Sequence, residues 1–98
     1  MARFDVFRTS DDAIVLDCQS DFLSHLQTRI VVPLLPPALE PKVAERLNPT
    51  FVIGGELHVL YPQFMAALPE NNLIERITSL QDRDFEIIAA LDILLSGF

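Results

Sequence analysis

The chain contains very little cysteine, which excludes a disulfide-stabilised fold. Its 98 residues include one cysteine, Cys18, so no disulfide can form within the chain. Cys18 follows the apolar residues Val15 and Leu16, and a lone cysteine in such a run is typical of a small buried side chain. No local nucleophile signature surrounds it. We therefore interpret Cys18 as structural, in a protein of a reducing, cytoplasmic environment.

Positive charge is also scarce, which argues against nucleic acid as a direct ligand. Seven Lys and Arg residues stand against fourteen Asp and Glu, giving a formal net charge of −7. The basic residues are scattered, and no two are adjacent. Proteins that bind nucleic acid normally cluster cations along one face to displace counterions from phosphates. We expect no direct nucleic-acid binding and favour basic protein partners instead, because complementary charge speeds the encounter of two proteins.

Long apolar runs and targeting signals are absent as well. No run approaches the roughly 20 apolar residues that span a bilayer, and the segment 1–5 (MARFD) has no apolar signal region. We therefore expect a cytoplasmic protein that does not associate with membranes. Half of the residues are hydrophobic, which suffices for one domain over residues 1–98 and favours apolar contact with a second copy.

Motifs for cofactors and catalysis are missing. The sequence has neither GxGxxG nor a Walker motif, and Gly54–Gly55 is typical of a tight turn. His25, His58 and Cys18 lack the spacing of a metal site, and Asp11–Asp12 is typical of a solvated turn. We expect no metal and no organic cofactor, and nothing in these residues establishes an enzyme.

Five polar residues have a structural interpretation and, as an alternative, a functional one. We expect His58 to face solvent or make one structural hydrogen bond, with a role as a base as the alternative. We expect Arg29 to form a salt bridge at the rim of the fold, with a contact to an anion or a partner as the alternative. Asp5, Asp17 and Glu56 are three carboxylates that a fold of short strands could bring together, although the sequence does not show that it does.

The pattern of β-favouring residues and turns predicts a mainly β protein with one C-terminal α-helix. Pro33 places its strand at an edge or at a bulge, because proline has no N–H to donate. The helix begins at a capping-box variant over 79–82, and its nearly continuous apolar surface predicts burial against another subunit. We expect strands over 4–8, 13–18, 29–35, 50–53, 56–61 and 64–68, and the helix over 82–95.

Three stretches, in order along nearly the whole chain, carry a family resemblance. The first is LDCQSD over 16–21, followed by RIVVPL over 29–34. The second is LNP over 47–49 with VIG over 52–54. The third is MAALP over 65–69, then an acidic loop, a C-terminal helix and an ending of Gly97 plus one large apolar residue. Together they resemble the CcdB family of bacterial toxins.

The resemblance implies both a fold and a function. It implies an SH3-like barrel of CcdB type that forms a homodimer, and the toxin half of a toxin–antitoxin pair. Such a toxin binds the A subunit of DNA gyrase, and a disordered CcdA-like antitoxin tail wraps and removes it. The family has no catalytic residues of its own, so the resemblance implies a protein that is not an enzyme. The family's target-binding residues are the last three, Trp-Gly-Ile, which correspond here to Ser96, Gly97 and Phe98. Serine therefore replaces the aromatic ring that the family stacks against gyrase.

Two alternatives stay open. MazF-type endoribonuclease toxins share this barrel, but they need a basic groove and a general acid or base, and the charge of −7 argues against one. A toxin-derived dimer that no longer poisons its target, and only binds antitoxin or acts as a co-repressor, is favoured by the missing tryptophan.

Overall fold

The computed structural model describes residues 2–97, and within them seven strands precede one α-helix. This confirms the prediction of a mainly β chain with a single C-terminal helix. The strands are β1 (Asp5–Thr9), β2 (Ile14–Asp17), β3 (Thr28–Leu35), β4 (Thr50–Ile53), β5 (Glu56–Leu60), β6 (Ala66–Pro69) and β7 (Leu73–Ser79), and the helix is α1 (Asp84–Ser96).

Strand β3 is the centre of the sheet. The order is β4-β5-β3-β2-β1-β7, all antiparallel, and β6 also pairs with β3. On one side β3 pairs with β2, and on the other it pairs first with β6 and then with β5, as in Ile30 opposite Ala67 and Leu34 opposite Leu60. One strand thus joins two small sheets.

The position of Pro33 differs from the prediction of an edge or a bulge. Pro33 lies in the central strand opposite Val15, and its carbonyl accepts a hydrogen bond from the Tyr61 N–H at 3.1 Å. Because the N and O of a strand residue face the same neighbour, the missing donor falls in the gap between the β6 and β5 pairings. The reciprocal bond from residue 33 to the Tyr61 carbonyl cannot form, and that carbonyl accepts instead from the Phe64 N–H at 3.0 Å.

The sheet curls into a half-barrel, in agreement with the expected barrel architecture. Strand β6 pairs with the central β3, and β7 pairs with β1 at one edge of the sheet. Only the 3₁₀ turn Glu70–Asn72 separates β6 from β7 along the chain. The Glu70 N–H donates to the Gln27 carbonyl at 2.8 Å, and the Ser10 N–H donates to the Asn72 carbonyl at 2.9 Å. The short connection is therefore anchored to the strands on both sides.

Both faces of the curled sheet bury apolar side chains. Cross-strand neighbours share a face, so Leu16 and Val32 lie on one face while Phe7 and Val15 lie on the other. The first face packs against α1 through Ile87. The first cluster comprises Phe4, Val6, Leu16, Cys18, Val32, Leu34, Phe51, Ile53, Leu60, Leu80 and Ile87, and the second comprises Phe7, Val15, Val31 and Leu73.

The C-terminal region shows two differences from the sequence-based expectations. The segment expected as an acidic loop contains β7, which pairs with β1 along its length. The expected capping box is replaced by a 3₁₀ turn, Gln81–Arg83, in which the Ser79 hydroxyl accepts from the Gln81 N–H at 3.3 Å. Helix α1 begins two residues later than predicted, at Asp84.

Candidate functional site

The end of α1 carries the residues that the sequence singles out for target binding. Ser96 is exposed and is the last residue of the helix. Gly97 ends it in the left-handed conformation, with φ of +85°, and its N–H donates to the Ile93 carbonyl at 3.0 Å. Phe98 lies outside the described residues. Ser96 and Gly97 are thus displayed to solvent by a rigid element.

The conformation of Gly97, more than its surroundings, requires glycine. A Cβ built on this residue would meet no atom within 4 Å, so space does not limit the side chain. The positive φ does, because a Cβ disfavours this region for other residues. Leu95, 70% exposed, lies beside the cap. The helix end therefore offers an apolar side chain, a hydroxyl and an open backbone turn, which suit binding to a protein.

Gln19, the first residue of the QSD segment, joins a loop to the sheet. Its side-chain Nε2 donates to the Leu23 carbonyl at 2.9 Å, and its Oε1 accepts from the Ile30 N–H at 3.2 Å. Gln19 itself is buried. A single amide thus fixes the loop between β2 and β3 against the start of β3.

Ser20 and Asp21 continue this role. The Ser20 hydroxyl accepts from the Phe22 N–H at 3.2 Å and caps a short 3₁₀ turn. The Asp21 carboxylate accepts from the Arg3 N–H at 2.9 Å and ties the turn to the N-terminal segment. Phe22, at the centre of this turn, is 93% exposed. Sequence reasoning did not single out this exposed aromatic, because it lies between the predicted strands 13–18 and 29–35 and belongs to no motif.

Arg29 forms the expected salt bridge, but the bridge is buried inside the sheet and does not lie at the rim of the fold. It donates to Asp17 Oδ2 from Nε at 3.0 Å and from Nη2 at 2.7 Å, and the two side chains are 1% and 0% exposed. Asp17 Oδ1 accepts from the Gln19 N–H at 3.1 Å. Desolvation raises the pKa of Asp17 by more than these hydrogen bonds lower it. The pair is a structural element of the sheet.

The three carboxylates considered from the sequence do not form a site. Asp5 is buried and forms an ion pair with Arg76, with Oδ2 3.2 Å from Nε. It is close enough to Asp17 for its charge to contribute to the raised pKa of that residue. Glu56 is exposed at the β4–β5 turn. Both buried carboxylates are occupied by guanidinium groups, so neither is an open acid or base.

The surroundings of Cys18 disfavour its reactive thiolate form. The thiol is buried, and desolvation, with a smaller contribution from the charge of Asp17, raises its pKa to about 12. Within residues 2–97, no three His, Cys, Asp or Glu side chains gather in a way that could hold a metal ion. A nucleophilic cysteine needs the opposite environment, in which positive charge stabilises the thiolate.

His58 lies at the edge of a small pocket of about 250 Å³ near the β4–β5 turn. Its Nδ1 donates to the Glu56 carbonyl at 3.0 Å, and the ring is largely buried, in agreement with the structural alternative from the sequence. Arg8 also lines this pocket, but it is paired with Asp12 and Glu75, each at 2.9 Å. The guanidinium is thus already neutralised.

Helices of the described region are too short or too polar to cross a lipid bilayer.

The class of fold is shared with solved toxin and nuclease structures. An endoribonuclease from Mycobacterial species is similar over 97% of this chain and 90% of its own, with a TM-score of 0.77 and 14% identity. A second, an endoribonuclease in complex with its cognate antitoxin from Mycobacterial species, covers 97% and 94%, with a TM-score of 0.76 and 14% identity. The Mycobacterium tuberculosis toxin MazF-mt6 covers 92% and 93%, with a TM-score of 0.72 and 17% identity. At these identities the likeness shows the fold alone.

The particular family follows from the sequence. The family model described as CcdB protein matches residues 3–97, nearly the whole chain, so the chain belongs to the CcdB family. This confirms the resemblance carried by the three stretches and supports a toxin of a toxin–antitoxin system.

Proposed function

We propose that this chain is a toxin that binds the A subunit of DNA gyrase through Ser96, Gly97 and Phe98, without catalytic activity of its own. The observation that carries the proposal is the capped end of α1, where Ser96 and Gly97 are exposed beside Leu95. Membership of the CcdB family supports the toxin role. The buried carboxylates form ion pairs and the pKa of the Cys18 thiol is raised, and both observations support binding over catalysis.

The serine at position 96 sets the expected strength of gyrase binding. Buried aromatic anchors at interfaces contribute about 2 kcal/mol or more, and that loss corresponds to an affinity roughly 30-fold weaker. Ser96 supplies a hydroxyl where the family supplies a ring. Leu95 is the exposed apolar side chain next to it and is available to a partner. We therefore expect weak gyrase binding that Ser96→Trp strengthens.

The test measures binding to the dimerisation region of gyrase A by calorimetry. Wild type, Ser96→Trp and a deletion of Gly97 and Phe98 are compared, with circular dichroism to verify folding. Ser10→Trp is the matched control, because Ser10 is exposed in the β1–β2 turn far along the chain from α1. If the deletion variant folds yet binds gyrase and kills cells as well as wild type, the tripeptide is not the target site.

A disordered antitoxin tail is the proposed neutralising partner. One structural neighbour is an endoribonuclease in complex with its cognate antitoxin, and this supports an antitoxin as the partner here. Binding to the native state alone raises the melting temperature by mass action. The protein encoded beside this chain's gene is the probe, and we expect it both to raise the melting temperature and to abolish killing.

An endoribonuclease is the second candidate, and the fold of the three neighbours favours it. The pocket with Arg8, Glu56 and His58 is where an acid–base pair and a cation come together. Arg8, the cation of this pocket, already forms ion pairs with Asp12 and Glu75, so it has little attraction left for a phosphate. RNA cleavage by wild type, lost in His58→Gln, would establish this activity. Antitoxin binding without gyrase binding and without RNA cleavage would indicate a homologue that no longer poisons its target.

A further inference from the structure

A groove of about 440 Å³ lies between the first turns of α1 and the segment 45–49. The apolar part of its lining is formed by Pro49, Phe85 and Ala89. Phe85 is 88% exposed, although it belongs to a helix whose Ile87 and Ala90 are fully buried in the core. A large aromatic ring at the mouth of an open groove is typical of surfaces that bind a partner.

The charges around the groove are unevenly paired. Glu45 lies 3.0 Å from Lys42, and Glu86 accepts from Arg83 Nε at 2.6 Å and from Nη2 at 2.9 Å. Arg46 also lines the groove, is exposed, and forms no ion pair or side-chain hydrogen bond with the residues 2–97 that the structure describes. The charge left unpaired at the groove is therefore positive, although the chain as a whole carries −7.

We propose that this groove binds a partner segment that presents a large apolar side chain next to a carboxylate. The apolar side chain contacts Phe85 and Pro49, and the carboxylate accepts hydrogen bonds from the Arg46 guanidinium, whose fork matches its geometry. The net negative charge acts against such a segment only weakly, because salt screens exposed charges beyond about 8 Å at physiological ionic strength. The inference rests on the proposed toxin–antitoxin function, in which the segment is part of the antitoxin tail.

The groove and the target-binding tripeptide occupy different ends of one helix. Phe85 lies in the first turn of α1 and Ser96 in the last, which places their backbones roughly 16 Å apart along the axis. Substitutions in the groove therefore leave Ser96 and Gly97 unchanged, and the two surfaces can be tested separately.

The direct test uses three synthetic peptides with blocked ends, in which leucine alternates with glutamate, glutamine or lysine. We expect wild type to bind the glutamate peptide about tenfold more tightly than the glutamine peptide, as for a charge-assisted hydrogen bond. Arg46→Gln should remove this difference, Arg46→Lys should keep part of it, and Phe85→Ser should weaken both peptides. Ile74→Ser, an exposed apolar position on β7, is the control and should change nothing.

Two results would overturn the inference. One is tightest binding of the lysine peptide by wild type, and the other is glutamate-peptide binding by Arg46→Gln and Phe85→Ser that equals wild type. Failure of the proposed function gives a different result: wild type then neither kills cells nor binds the protein encoded beside it. If wild type kills and is neutralised, and Arg46→Gln and Phe85→Ser are neutralised equally well, the groove inference alone fails.

Discussion

Arg29 and Asp17 form an ion pair inside the sheet, joined by two hydrogen bonds to one carboxylate oxygen at 3.0 and 2.7 Å. The pair connects β3 to β2, and neither side chain has appreciable contact with solvent. A buried ion pair stabilises little relative to apolar residues, but removal of one member leaves the other charge without a counterion.

Asp17→Asn is expected to lower the free energy of unfolding by about 3–5 kcal/mol, because it leaves the Arg29 guanidinium buried and unpaired. Urea unfolding followed by circular dichroism measures the change. The control is Glu75→Gln, which removes an exposed partner of Arg8 and should cost no more than about 1 kcal/mol. A combined Asp17→Leu and Arg29→Met variant should regain most of the loss. Equal stability of Asp17→Asn and wild type would refute this account of the pair.

Cys18 is expected to resist alkylation in the folded protein. With a pKa of about 12, only about one thiol in ten thousand is ionised at pH 8, and burial also restricts access to the sulfur. Iodoacetamide labelling followed by mass spectrometry should show slow reaction in buffer and fast reaction in concentrated urea. Rapid labelling without urea, by a protein that circular dichroism shows to be folded, would contradict a buried thiol.

Glu86 should give a small pH dependence to stability. Its hydrogen bonds to Arg83 lower the pKa of the carboxyl below the usual 4.5, so the folded state favours the ionised form. This stabilisation is present above pH 4.5 and is lost as the pH falls through the lowered value. The side chain is about half exposed, which limits the effect to less than about 1 kcal/mol.

The measurement compares wild type with Glu86→Gln in urea unfolding at a series of pH values. The stability difference between them should shrink as the solution becomes more acidic than pH 4.5. A difference that stays constant across this range, or that grows on acidification, would show that Arg83 does not favour the ionised carboxylate.

We expect a homodimer in solution. The apolar surface of α1 motivated this prediction, and exposed apolar side chains are also found outside the groove and the target-binding end, with Val52, Leu57 and Ile88 exposed at 63%, 53% and 37%. Such side chains gain free energy when a second copy removes them from water. Multi-angle light scattering at micromolar concentration checks the mass. A monomer throughout the concentration range would exclude this arrangement.

Local chemistry made several elements predictable. The Gly54–Gly55 turn has φ values of +59° and +83°, a geometry that glycine adopts at little cost, so the β4–β5 hairpin follows from the sequence. Strand β7 was missed because its Glu75 and Arg76 resemble a polar loop. It forms because one edge pairs with β1 while Leu73 is buried against the second cluster.

Pairing between distant segments was harder to foresee. Arginine is seldom fully buried, so the burial of Arg29 depends on the carboxylate of Asp17, which only the pairing of β2 and β3 brings near. The candidate site was visible as three residues at the chain end, since a family pattern marked them. Nothing in the sequence indicated the groove beside Phe85, because about half of the fold's strands lie between its two walls along the chain.

The hydrogen bonds of Gln19, Ser20 and Asp21 bear on what the QSD segment can indicate about function. These side chains hold a loop in place, whereas the proposed target contacts lie at Ser96 and Gly97. The QSD part of the family resemblance thus belongs to the scaffold. Under the proposed function, a change at Ser96 alters the target contacts and leaves this segment intact, so the QSD segment by itself does not predict the target.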